Sequence, residues 1–209
     1  LLNEIVNTLE RPRASDILNE LRSHTIRALG QTGRMDEARE GMEMALCMID
    51  PGSRIIRFSG AFRPMYLVSG GEFREIKGDR MPIGIYHEKA QPFTEQEVTY
   101  RDNDILYLFS DGYVDQIGGL DRKTFKSGRF KKLIQEIWDK PLKEQEAILR
   151  EEIEIWRAGQ EQIDDIMSGK APRPPKDWDE DAGAPSSGKD AAEPEDRPEA
   201  EDDKTQEGP

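Results

Sequence analysis

"DILYLFSDGYVDQIGG", residues 104–119, is the stretch on which the reading of this chain turns. The run Ile105-Leu106-Tyr107-Leu108-Phe109 carries no charge, the mark of a strand buried on both faces. It stops abruptly at Ser110-Asp111-Gly112. Asp-Gly is a common turn dipeptide, so the stop suits a turn. It also suits a hard divalent cation, which takes carboxylate oxygens held on rigid backbone, with a glycine leaving room beside them. Both readings stand on these residues alone.

Outward from that strand the period is that of paired strands. Asp102-Asn103-Asp104 turns the chain, and residues 96–100 alternate as a strand. Residues 65–69 and 72–76 flank Gly70-Gly71, a strong hairpin signal. Residues 54–59 form a further strand, preceded by an apolar one over 42–49 that ends at the turn Asp50-Pro51-Gly52. At the N-terminal end Leu2, Ile5, Val6 and Leu9 fall at helical spacing until Pro12 interrupts. A second helix is expected over 15–29, with Ser15 as N-cap, an apolar stripe of Ile17, Leu18, Leu21, Ala28 and Leu29, and Gly30 closing it. After Gly118-Gly119 and a polar loop, helices are expected over 129–138 and 142–156, with Pro141 at the first turn of the latter. Helices, a block of hairpins, then helices make an α+β fold with antiparallel sheet, built in layers.

Composition divides the chain. Residues 168–209 hold 13 Asp/Glu against 6 Lys/Arg, a net of −7, with seven prolines and Trp178 as the one large apolar residue. Such a segment buries too little surface to offset the entropy of ordering, so a disordered acidic tail is expected there. Residues 1–167 are long enough for a core and carry the other −6 of the total −13, which argues against nucleic acid as the main partner. Cys47 is the only cysteine, so no disulfide framework exists and a reducing, cytoplasmic setting fits. No apolar run approaches the ~18 residues of a membrane span. Leu1-Leu2-Asn3-Glu4-Ile5 lacks the basic and apolar regions of a signal peptide.

Few residues offer chemistry. Gln162-Ile163-Asp164-Asp165-Ile166-Met167 sets adjacent acids inside an apolar pattern, and buried acids are usually paired or bound to metal. Cys47 reads as a core thiol: Arg54 follows it after six residues, not the five of a cysteine phosphatase loop. His24 and His87 lack zinc-ligand spacing. Gly70-Gly71 is no phosphate loop, because no G-x-x-x-x-G-K pattern follows. Arg63 reads as an exposed loop arginine, with a substrate phosphate as its alternative partner. Lys123, Lys126, Arg129, Lys131 and Lys132 form a local basic patch on a solvated face, and Trp138 and Trp156 fall at core-like helix positions.

Taken in order, "EGMEMALCMID" (40–50), "FSGAFRPMYLV" (58–68), "IKGDRMPIGIY" (76–86), the opening stretch, "KSGRFKKLI" (126–134) and "EQIDDIM" (161–167) resemble the SpoIIE-like branch of the metal-dependent, PPM-type serine/threonine phosphatases. The resemblance runs from Leu1 to Met167 and makes 1–167 the domain. It implies an α-β-β-α sandwich with a dinuclear Mn2+ or Mg2+ centre at one end. A metal-bound water, rather than a protein nucleophile, attacks the phosphorus of a phosphoserine or phosphothreonine. Carried over by position, Asp111 matches the aspartate of the family's S-D-G, Asp164 the first acid of its late D-D motif, and Asp165 is the neighbour. Asp115 is the candidate for a weaker third cation.

The resemblance also implies a phosphorylated regulatory protein as substrate, such as an anti-sigma-factor antagonist. An upstream sensor domain is implied in the parent chain, and any membrane tether falls to such upstream segments. Two departures bear on activity. The family's first metal motif, an Asp-Gly stretch with a G-H-G-like segment, belongs before the first helix and has no counterpart from Leu1 on, so the fold is expected to be N-terminally incomplete. The strand after the D-D motif gives way to Ser168-Gly169-Lys170-Ala171-Pro172. The expectation is a fragment of such a phosphatase, or else a degenerate, non-catalytic binding or regulatory module of the same fold.

Overall fold

The computed structural model describes residues 1–10, 12–33, 41–86, 91–162, 164–166 and 168–169. His87, Ile163, Met167 and the expected tail beyond Gly169 lie outside them. In chain order come helices α1 (Leu2–Thr8) and α2 (Ala14–Ala28) and strands β1 (Gly41–Met42), β2 (Met44–Asp50), β3 (Ile55–Ala61) and β4 (Met65–Ser69). Then follow β5 (Glu72–Ile76), β6 (Ile83–Gly84), β7 (Gln96–Thr99), β8 (Ile105–Phe109) and the short helix α3 (Gly112–Asp115). The described elements end with β9 (Ile117–Gly118), β10 (Lys123–Thr124), α4 (Ser127–Ile137), α5 (Leu142–Arg157) and β11 (Ser168–Gly169). The strands form one sheet of order β2-β3-β7 and another of order β11-β8-β4-β5, and the named pairs within both are antiparallel. Two-residue pairs β1-β6 and β9-β10 sit beside them.

The unbroken apolar strands have a simple cause. Successive side chains of a strand point to opposite faces, so a strand with no polar face feeds two cores. In β4, Met65 and Leu67 enter one core while Tyr66 and Val68 enter another. In β8, Leu106 and Leu108 join the first, and Ile105, Tyr107 and Phe109 the second. The first core lies between the sheets, where Ile56 and Phe58 of β3 and Val98 of β7 meet β4 and β8. The second is closed by Phe130, Leu133, Ile134 and Ile137 of α4 and Ile153 of α5. A third lies under the first helices, where Ile5, Ile17, Leu18 and Leu21 cover Ala61, Leu46 and Met48. Three cores between four layers make the α-β-β-α sandwich. Each fully buried large apolar side chain contributes about 1.5–3 kcal/mol.

The hairpin β4-β5 turns through Gly70 and Gly71 at φ 56° and 85°, the two left-handed residues that a two-residue turn between twisted strands demands. The start of α2 differs from expectation. Ser15 is buried in its first turn and caps nothing; the N-cap is Arg13, without a side-chain cap of its own. The cap comes from across the fold: Glu95 Oε2 accepts the Ala14 N–H at 2.6 Å, and Glu95 Oε1 accepts Arg13 Nε at 3.1 Å. A carboxylate at a helix N-terminus satisfies an orphan donor and complements the dipole. The stripe differs too. Leu29 and Ala28 are exposed and Thr25 takes the inner position, its hydroxyl donating to Leu21 O at 2.9 Å. Gly30 N–H donates to Arg27 O and Gln31 N–H to Ile26 O, the two bonds of a glycine-terminated helix end.

Candidate functional site

Strand β8 delivers Asp111 to the sheet's end, where α3 begins at once with Gly112. The glycine has a steric reason. A Cβ on Gly112 would overlap the Asp165 carbonyl, at 2.8 Å from its carbon, and lie 3.1 Å from Asp164 O. The backbone of 164–165 therefore packs directly on the strand end. Ser110 Oγ donates to Asp165 O at 2.7 Å, and three residues later Ser168 pairs with Phe109. Asp111 and the Asp164-Asp165 pair, 53 residues apart in sequence, are thus brought to one corner. Both late acids are exposed, and Asp164 Oδ1 accepts the Asp165 N–H at 2.7 Å. Asp115 is exposed one helical turn beyond Asp111, its N–H bonded to Asp111 O.

Arg63 joins this corner and is not the exposed loop arginine of the sequence reading. Its side chain is 15% exposed and paired with two carboxylates, Glu43 and Asp111; the Nη2–Asp111 Oδ2 distance is 3.3 Å. The backbone beneath it is tightly fixed. Phe62 has φ 57°, and Arg63 N–H donates back to Ala61 O at 2.7 Å, a γ-turn. Phe62 N–H donates to Asp79 O, and Asp79 N–H to Gly60 O, both at 2.8 Å. Gly78 lies so close that its Cβ would stand 2.6 Å from Arg63 O. Glu43 was missed in the sequence; its signal is an acid between Met42 and Met44, inside an apolar run.

The residues fit a hard cation in part. Their donors are carboxylate oxygens on a rigid strand end, and a bare glycine makes room for the second acidic segment. Among the described residues, however, no group of three or more His, Cys, Asp or Glu side chains could hold an ion. What the fold brings together here is the strand-end residue Asp111 and the backbone of Asp164-Asp165.

The other sequence candidates are occupied structurally. Cys47 faces the intersheet core with Sγ 3.4 Å from Met65 Sδ, and burial pushes its thiol up to about 12. Lys131 pairs with Glu75 at 2.8 Å, and Arg129 lies over the Phe125 and Trp156 rings. Trp138 and Trp156 pack on the helix-covered core.

A family model, Stage II sporulation protein E (SpoIIE), matches residues 2–170. The chain belongs to the SpoIIE family. The SpoIIE domain superposes on the SiaA-PP2C domain of Pseudomonas aeruginosa with a TM-score of 0.69 and 26% identity, over 80% of this chain and 63% of that one. A Bacillus subtilis structure of the SpoIIE PP2C phosphatase domain with a fragment of its regulatory domain gives 0.56 and 20%, over 80% and 45%. The RsbU and RsbW domains of a Mycobacterium tuberculosis protein give 0.56 and 15%, over 80% and 43%. The chain therefore spans under two thirds of the length of these solved relatives. No curated protein matches it by sequence. The likenesses make this SpoIIE domain a PP2C-like phosphatase fold.

Proposed function

We propose that this SpoIIE domain serves metal-dependent hydrolysis of phosphoserine or phosphothreonine on a regulatory protein in a signalling pathway. The observation that carries the reading is the packing of the Asp164-Asp165 backbone onto Gly112, beside the strand-end carboxylate of Asp111. In this reading Asp111 and Asp164 hold Mn2+ or Mg2+, with Asp165 beside them, and completion of the ligand set falls to groups outside the described residues. A cation held there supplies charge stabilisation to the phosphoryl group and a lowered pKa to a bound water, with no covalent protein intermediate. The chain's own part is positional. β8 fixes Asp111 between two cores, and Ser110 and Gly112 fix the second acidic segment against it. The partners in this reading are a phosphorylated regulator of the anti-sigma-factor-antagonist type and an upstream sensor domain; the acidic tail expected from Ser168 on begins after β11, which pairs Ser168 and Gly169 with β8. Among the described residues no helix is long and apolar enough to cross a membrane.

The test is phosphate release from a phosphoserine peptide by the chain in Mn2+ or Mg2+. Cation-dependent release that falls to background in Asp111→Ala supports the reading; turnover unchanged by that substitution sinks the site assignment. A second reading, a non-catalytic module of the same fold, is favoured by that partial fit to a cation. Isothermal titration with Mn2+ separates the two, since the module binds no cation tightly and the enzyme binds one through Asp111.

A further inference from the structure

We propose that Arg63 is the residue that takes the substrate's phosphoryl group at this corner, and that the exposed ring of Phe62, edge-on to Tyr86, receives an apolar side chain flanking the phosphorylated residue. The inference rests on the phosphatase reading above for the identity of the ligand. Its support is geometric. A guanidinium presents a planar fork of donors that matches two phosphoryl oxygens at once, which a lysine cannot do. Arg63 holds that fork 3.3 Å from Asp111, on a backbone fixed by the γ-turn, by the Asp79 and Gly60 bonds and by the close approach of Gly78. It is therefore oriented before any ligand arrives.

The turn itself is costly. An aromatic residue at φ 57° is in the left-handed region that bulky side chains avoid, and such strain gathers at functional sites. The two neighbours differ in exposure. Arg63 turns inward to the carboxylates, while Phe62 stands 39% exposed, 6.2 Å from the Tyr86 ring, itself 37% exposed. Met42 is exposed as well, next in chain to Glu43, and Met44 bridges to Phe62. An apolar ledge thus adjoins a cation of the sign that a phosphoryl group requires. A peptide carrying phosphoserine next to an apolar residue satisfies both halves, whereas free phosphate satisfies one.

Glu43 gives the inference a direction that simple damage cannot imitate. It competes with any phosphoryl group for the Arg63 fork. Removing its charge should strengthen phosphopeptide binding, and removing Arg63 should weaken it.

The experiment is fluorescence anisotropy of the full chain in Mg2+. The labelled phosphoserine peptide carries leucine beside the phosphoserine, and two references are used: the same peptide unphosphorylated, and the phosphopeptide with glycine in place of leucine. Expected results are a preference of about tenfold or more for the phosphopeptide in the wild type and loss of that preference in Arg63→Ala. Partial retention is expected in Arg63→Lys, and tighter phosphopeptide binding in Glu43→Gln. Phe62→Ala should abolish the leucine-over-glycine preference and leave the phosphate preference intact. A preserved phosphate preference in Arg63→Ala, no preference in the wild type, or weaker binding in Glu43→Gln overturns the assignment of Arg63. An unchanged leucine preference in Phe62→Ala overturns the ledge. Selective binding without phosphate release would leave this inference standing and remove the hydrolase reading. Release that persists in Arg63→Ala with unchanged KM would do the reverse.

Discussion

Gly112→Ala isolates the step that assembles the candidate site. The added Cβ would lie 2.8 Å from the Asp165 carbonyl carbon. The Asp165 carbonyl oxygen would be closer still, and since non-bonded heavy atoms pack best at about 3.5 Å the 164–165 backbone must retreat by roughly 1 Å. Two stability terms oppose each other. The retreat loosens the Ser110 Oγ–Asp165 O hydrogen bond, about 1 kcal/mol, while alanine in place of a helical glycine returns about 0.5–1 kcal/mol. The net effect on folding is near zero, so Tm should move by less than about 4 °C. Cation binding tolerates far less, because ligand distances are set to about 0.2 Å. Mn2+ affinity by isothermal titration should fall about tenfold or more at nearly unchanged Tm. Gly128→Ala is the control: its Cβ meets nothing within 4 Å, and it should leave Mn2+ affinity alone. Unaltered Mn2+ affinity in Gly112→Ala would refute the argument that this glycine sets the acidic segment in place. A Tm loss beyond about 10 °C would show that the segment belongs to the core.

Other consequences follow from the fold. Glu95→Ala leaves the Ala14 N–H without its acceptor at the start of α2 and should cost about 1–3 kcal/mol in urea unfolding with m unchanged; a loss under about 0.3 kcal/mol would discount the cap. Cys47, whose thiol burial lifts from an ordinary 9.0 to about 12, should resist Ellman's reagent at pH 8 until the chain unfolds, because only the thiolate attacks. The folded pKa lies above the unfolded one, so this contribution to stability is complete below about pH 9 and lost as pH rises towards 12. Cys47→Ala should reduce that alkaline slope, and rapid labelling of the native chain would contradict the burial argument. Gly70→Ala tests backbone conformation alone, since nothing lies within 4 Å of its Cβ; at φ 56° it should cost about 1 kcal/mol in thermal unfolding, and a neutral result would deny the left-handed requirement.

What the sequence made legible depended on how local the cause was. The bounds of β4, β5 and β8 follow from their own residues, because glycine pairs or an Asp-Asn-Asp turn bracket runs that only a buried strand explains. The same runs hid their most informative property. Met65-Tyr66-Leu67-Val68 looks uniform, yet its alternate residues serve different cores, and hydrophobicity alone does not say which. The two-residue pairs β1-β6 and β9-β10 are too short for any period to register. Ser15 had the chemistry of a cap, but Glu95, 81 residues from Ala14, took the position. At the site, Asp111 was visible as a carboxylate at a strand end, and its nearness to Asp164-Asp165 was supplied by resemblance. Glu43 and the inward turn of Arg63 were not readable, since both depend on the contact between the β2 and β3 region and the end of β8.

The two halves of the candidate site are held by unequal forces. Asp111 extends from a strand whose alternate residues are locked into two cores, and Tyr113 and Val114 just beyond it are buried under α4 and α5. Moving it means opening the sheet–helix core. Asp164 and Asp165 are exposed and held by the Ser110 hydroxyl, by contact with Gly112 and by the short pairing of β11 with β8. Ile166 next to them packs on the helix-covered core, but exposed residues held by local contacts open at lower free energies than core strands do. If the proposed cation needs both halves, its apparent affinity would be scaled by the fraction of chains in which 164–165 lies against Gly112. Arg63 acts on the firm half, where it already neutralises Asp111. On the proposed reading, cation affinity would therefore respond first to changes at the late acidic segment: a substitution that loosened 164–165 from Gly112 would lower it without touching the core.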